Sequence, residues 1–97
     1  MKAYVIVNVN VKDPVRYADY AKAATPTVAA HGGRYIARGG RAERLEGSVS
    51  VNRIVVLEFP SYDHAKDWYD SPEYQAAALI RQSCSSGDLI LIEGMAT

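Results

Sequence analysis

The chain has 97 residues, 48% hydrophobic and 23% charged, which suits one core but not two and is too apolar for a disordered or fibrous chain. Eleven basic and eleven acidic side chains cancel, so the positive field that backbone-driven nucleic-acid binding needs is missing and no such partner is expected. No apolar run approaches membrane-spanning length, nothing like a leader peptide precedes Tyr4-Val5-Ile6-Val7, and the single Cys84 allows no internal disulfide; the expectation is one cytoplasmic domain over 1–97 without membrane contact.

From Ala3 to Val11 every odd position is apolar, the period-2 pattern of a strand with one face in a core; the even positions Tyr4, Ile6, Asn8 and Asn10 make a mixed face. Asp13-Pro14 then supplies a cap and a proline at the first helical position. Tyr17, Tyr20, Ala21, Ala24, Val28 and His31 follow at helical spacing, and Gly32-Gly33 stops the helix. Pro26 removes one backbone donor, so a kink or break is expected near Thr25.

Arg34 to Arg38 reads as a second strand that bends at Gly39-Gly40 and continues irregularly to Glu46, with Gly47 ending it. Arg53 to Phe59 is a third strand, apolar on both faces apart from Glu58, and closed by Pro60. Ser61 caps a helix holding Ala65, Trp68 and Tyr69, and Ser71-Pro72-Glu73 starts another that carries Tyr74, Ala77, Ala78 and Arg81. Ser83 to Gly87 reads as a loop, and Asp88 to Glu93 as a last strand with Leu89-Ile90-Leu91-Ile92 apolar on both faces.

The order is βαββαβ, with the second helical region in two pieces. Two right-handed crossovers put the helices on one face of a four-stranded antiparallel sheet, an α+β sandwich. The other face stays open, although the third and fourth strands and Ile6 present apolar side chains to it. A second copy of the same face is the simplest cover, so a homodimer through the open sheet face is expected; the alternative is a monomer whose loops fold across it.

These segments together resemble an uncharacterised bacterial family known as domain of unknown function 1330, within the dimeric α+β barrel superfamily. The resemblance covers nearly the whole chain and is carried by Asp13-Pro14 with Tyr17 and Tyr20, Gly32-Gly33-Arg34-Tyr35, Arg38-Gly39-Gly40 and Leu45-Glu46-Gly47. It continues through Arg53–Pro60, Trp68-Tyr69-Asp70-Ser71-Pro72-Glu73-Tyr74-Gln75 and Glu93-Gly94, and departs from the family pattern at Ser83-Cys84-Ser85-Ser86. It implies a ferredoxin-like fold and a dimer in which two sheets face each other. It implies no reaction, because related branches include cofactorless monooxygenases, haem-degrading enzymes, muconolactone isomerases and stress-response proteins.

Candidate chemistry centres on few residues. His31 titrates near neutrality and is either a general base or haem ligand beside Tyr17 and Tyr20, or a last-turn histidine satisfying helix carbonyls. Tyr17, Tyr20, Trp68, Tyr69 and Tyr74 either line a small-molecule pocket or form a core of hydrogen-bonded phenols. Glu58 interrupts an apolar strand and is either paired with Arg38 or Arg53 or held protonated for acid–base work. Between 34 and 53 stand five arginines against two glutamates, which suits an anionic ligand reached by Arg38 or a charged edge strand that resists stray pairing.

His31, His64 and one cysteine have no metal-ligand spacing, and neither a phosphate loop nor a Gly-x-Ser-x-Gly elbow occurs, so no metal or cofactor is expected. Cys84 among serines reads as a surface or packing residue. Three readings follow: a homodimer with a pocket for a small organic molecule between sheet and helices, a cofactor-independent monooxygenase or isomerase using His31 or Glu58 as base, or a noncatalytic dimerisation module.

Overall fold

The computed structural model describes residues 1–96. In chain order the elements are β1 (Ala3–Val11), α1 (Pro14–Ala30), β2 (Arg34–Arg38), β3 (Arg53–Phe59), α2 (Tyr62–Asp70), α3 (Pro72–Cys84) and β4 (Ser85–Glu93). The strands form one antiparallel sheet in the order β2-β3-β1-β4, the arrangement two interleaved right-handed crossovers generate. The fold is α+β and ferredoxin-like.

Alternation decides which side of each strand is covered. Ala3, Val5, Val7 and Val9 of β1 are buried with Val55, Leu57 and Phe59 of β3, and the helices close over them with Trp68, Tyr74, Ala77 and Ala78. The opposite face is laid out in register: Val56, Ile6 and Ile90 lie side by side in one row and Glu58, Tyr4 and Ile92 in the next. Nothing in the described chain covers Ile6, Ile90 and Ile92, which are 39%, 58% and 53% exposed.

Helix ends follow the cap signals. Asp13 accepts from the Val15 and Arg16 N–H groups, Ser61 from His64 and Ser71 from Tyr74. At the end of α1 the Gly33 N–H donates to the Val28 carbonyl and the Gly32 N–H to that of Ala29, with Gly32 at φ +76°, the Schellman arrangement that a left-handed residue permits.

Three expectations are corrected. Pro26 does not break α1, which runs unbroken from Pro14 to Ala30; Pro26 and Lys22, whose carbonyl loses its partner, both lie on the solvent side, where water can replace the missing bond. The second strand ends at Arg38, and 39–52 has no regular pairing beyond it. Ser83 to Gly87 is not a loop, because α3 runs to Cys84 and β4 begins at Ser85. The Ser83 hydroxyl and Cys84 thiol donate to the Ile80 carbonyl and the Ser85 hydroxyl to that of Arg81, while the Lys12 N–H donates to the Cys84 carbonyl. The small polar residues therefore terminate the helix instead of spacing it from the strand. Cys84 is buried in this packing.

Candidate functional site

The inward side of α1 faces the inward side of β2 and β3, and aromatic and cationic side chains collect where they meet. Arg53 opens β3 on the same face as Val55 and Leu57, so strand periodicity aims it under α1, where its guanidinium lies 5.7 Å from the centre of the Tyr17 ring. In β2 an irregularity between Tyr35 and Ala37 shifts the register, and Arg38 returns to lie 4.0 Å over the Tyr35 ring.

Thr25 links this strand to the helix. Its hydroxyl donates to the Ala21 carbonyl at 2.8 Å and accepts from Arg38 at 3.2 Å, and the Tyr35 hydroxyl stands 3.3 Å from it. With the threonine proton committed to Ala21, Tyr35 is the donor in that last contact.

Two depressions adjoin at Tyr17, Ala21 and Arg53. The inner one is closed by Tyr20, Tyr35, Arg38 and Trp68 and leaves only about 20 Å³ of free space, room for about one water. The outer one is a broad cleft of about 560 Å³ bounded by Val9, Val11, Pro14 and Ala18, with Asn10 and Asn52 at its polar edge. Arg53 stands between them. Its Nε is buried with no hydrogen-bond partner, and no carboxylate among the described residues pairs with Arg38 or Arg53.

Behind the inner pocket the phenols satisfy one another. The Tyr20 and Tyr74 hydroxyls are 3.0 Å apart, and burial pushes the Tyr20 phenol far above its ordinary range, with Tyr74 reinforcing the effect. Burial also raises Tyr17, against the opposing charge of Arg53. Both therefore remain neutral hydrogen-bond donors at physiological pH. The Trp68 indole N–H donates to the Thr27 hydroxyl at 3.0 Å, which fixes the ring as the inner wall.

The structure thus brings Tyr17, Tyr20, Arg38 and Trp68 together, with Tyr74 directly behind. Tyr69 packs on Trp68 and Tyr74 but lines neither depression; it borders a separate apolar pocket of about 150 Å³ between α2 and β4. His31 sits at the C-terminus of α1, its Nδ1 2.9 Å from the Thr27 carbonyl, in a depression with Pro26 and Glu73. Glu58 is on the open sheet face, where Arg34 Nε donates to it at 3.0 Å and Lys2 Nζ lies 3.6 Å away. The hydrogen bond from Arg34 holds its carboxyl below the usual range. The partners of Glu58 are thus Arg34 and Lys2, where Arg38 and Arg53 were expected, because 34 pairs with 58 in the strand register while 53 points to the other face.

Tyr35 and Thr25 escaped the sequence reading. Tyr35 shares an inward face with Arg38 only through the irregularity at Ile36, which strict alternation does not reveal. Arg53 carried a readable signal: it occupies the position that continues the inward series Val55, Leu57, Phe59. Arg81 carried another, following Tyr74, Ala77 and Ala78 on the inward stripe of α3; it is 6% exposed, and its Nε is unpaired.

Comparison with known proteins places the whole fold in one family. The model of domain of unknown function 1330 matches residues 2–95, and the chain belongs to that family. No curated protein matches it. Among solved structures, a protein of unknown function from Rhodopseudomonas palustris, RPA0582, superposes with a TM-score of 0.78 at 19% identity, covering 99% of this chain and 84% of that one. SnoaB, a cofactor-independent oxygenase from Streptomyces nogalater, gives 0.69 at 14% identity over 99% and 95% of the two chains. A dimeric ferredoxin-like protein of unknown function from Thermobifida fusca gives 0.65 at 19% identity over 99% and 92%. At these identities the likeness is one of fold.

Proposed function

We propose that this member of the domain of unknown function 1330 family is a homodimer, joined through its open sheet face, that binds a small organic molecule in each subunit between α1 and the sheet. The carrying observation is the paired depression at Tyr17 and Arg53, which joins an aromatic inner wall to an apolar outer cleft and holds a guanidinium without a counter-charge. Apolar walls with a few convergent polar groups are the usual composition of a ligand site. The dimer is supported by the rows of isoleucine and valine on the uncovered face and by the dimeric state of the Thermobifida fusca neighbour.

Binding is favoured over proton-transfer catalysis. Neither His31 nor Glu58 reaches the cleft, and its described lining holds no imidazole or carboxylate to serve as a base. An oxygenase reaction like that of SnoaB would have to draw on the phenols, indole, guanidinium and amide groups of this lining.

The test combines mass with ligand response. Light scattering should give twice the 10.6 kDa chain mass at micromolar concentration. A panel of small aromatic and alicyclic compounds, followed by the fluorescence of the single tryptophan, Trp68, and by thermal shift, should yield binders whose effect is lost in Tyr17→Ala. A lone subunit in solution would remove the dimer, and a panel without one binder would remove the pocket.

A further inference from the structure

Resting on the pocket reading above, we infer that the ligand is an organic anion, a carboxylate or an enolate on a compact apolar body, and that Arg53 is the residue that anchors its charge.

Charge is paired unevenly between the two sides of the sheet. The chain is neutral overall, and its recorded ion pairs, Arg34 and Lys2 with Glu58, Arg16 with Asp19 and Lys66 with Asp70, involve none of the cations that face the helix side of the sheet. Arg38 and Arg53 both lie there, and no recorded ion pair neutralises either. Arg38 donates to Thr25, whereas Arg53 has only the Tyr17 phenol as a polar side-chain neighbour, and its Nε is shut off from water without a partner. A guanidinium offers five donors in a rigid fork, and leaving its Nε unmet and its charge without an anion in a half-buried place costs free energy that a carboxylate's two oxygens would recover.

The backbone also makes room for this side chain. Gly39 stands at φ +69°, with its N–H donating to the Ile54 carbonyl, and a Cβ there would overlap the Arg53 guanidinium. A glycine at this point therefore serves two ends, the left-handed turn after β2 and the seat of the arginine. Held there, the guanidinium borders the outer cleft, whose walls of Val9, Val11, Pro14 and Ala18 suit an apolar body. The neutral Tyr17 hydroxyl adds a donor on the same side.

Benzoate and its neutral isostere benzamide discriminate the possibilities, titrated by calorimetry and ligand-observed NMR at ionic strength matched with sodium chloride. Benzoate should bind at least about tenfold more tightly than benzamide, Arg53→Gln should remove that preference, and Arg53→Lys should retain part of it. Far-UV circular dichroism verifies that each variant folds, and Gly39→Ala, which crowds the guanidinium, supplies a second route to the same loss. Equal binding of the two compounds overturns the anion assignment and leaves the pocket standing. Benzoate binding unchanged in Arg53→Gln overturns the role of Arg53. Absence of binding by either compound while neutral members of the panel bind overturns the anion assignment alone; a panel without any binder removes the pocket with it.

Discussion

The two faces of the sheet are built from alternate residues of the same strands, yet they solve different problems. On the helix side Val5 and Val7 disappear beneath Trp68 and Tyr74, and the polar ends of those rings are bonded, Trp68 to Thr27 and Tyr74 to Tyr20. On the other side Ile6, Val56, Ile90 and Ile92 form an aliphatic field beside Tyr4 that no helix of the described chain covers. The aromatic face is closed by its own chain, and the aliphatic face is left open by it. On the proposed function the site belongs to the first face and the assembly to the second, so changes to one should leave the other's property intact.

The largest expected effect is on the closed face. Trp68 is 1% exposed and touches Phe59, Tyr69 and Tyr74, with ring centres 4.1 to 6.3 Å away. Trp68→Ala should cost about 3–5 kcal/mol of stability, measured by denaturant titration followed by circular dichroism at fixed protein concentration. A loss below about 1 kcal/mol would mean the helix side is not the close-packed one. Any variant that stays folded should still associate.

The converse change is Ile6→Lys. Ile6 lies between Val56 and Ile90 in the centre of the aliphatic field, so an ammonium there must lose water whenever two copies meet. The dimer dissociation constant should rise by about two orders of magnitude or more in sedimentation, with the circular dichroism spectrum preserved. Association indifferent to Ile6→Lys would show that the copies meet elsewhere.

How much of this contrast was readable in the sequence varied with the kind of signal. Strand alternation in β1 and the caps at Asp13, Ser61 and Ser71 are local, and they located both faces and every helix start. Element bounds are less legible where side chains act on backbone: the serines around Cys84 resemble a loop until their hydroxyls are seen closing helix carbonyls. The site is half legible. Tyr17, Tyr20 and Trp68 group by helical spacing and aromatic character, but Tyr35 needs the register shift in β2, and for His31 the spacing leaves a pocket role and a last-turn role both open, between which the contact with the Thr27 carbonyl favours the second.

A smaller effect probes the hydrogen bonds of the closed face. Tyr20→Phe removes one hydroxyl of the pair and leaves that of Tyr74, in a fully buried residue, without its partner. The expected loss is about 1–2 kcal/mol, and adding Tyr74→Phe should recover part of it, since no stranded hydroxyl then remains. Additive losses in the double variant would show that the two phenols do not depend on each other.

The smallest effect lies on the open face and decides between the two readings of Glu58. The Arg34 hydrogen bond lowers its carboxyl in the folded state from the ordinary 4.5, so the folded chain takes up this proton less readily than the unfolded one. The contribution to stability is then fully present above pH 4.5 and fades as pH falls through the lower folded value. The stability gap between the native protein and Glu58→Gln should therefore be level from pH 7 to about 5.5, shrink below about 4.5, and be reduced throughout by salt, which screens the exposed cations Arg34 and Lys2. A carboxyl held protonated for acid–base work would behave oppositely: its folded value would be raised, and acid would favour the native protein over the variant. Denaturant midpoints of both proteins across pH 3–7 give the sign directly, and a gap that widened on acidification would return Glu58 to the list of candidate bases.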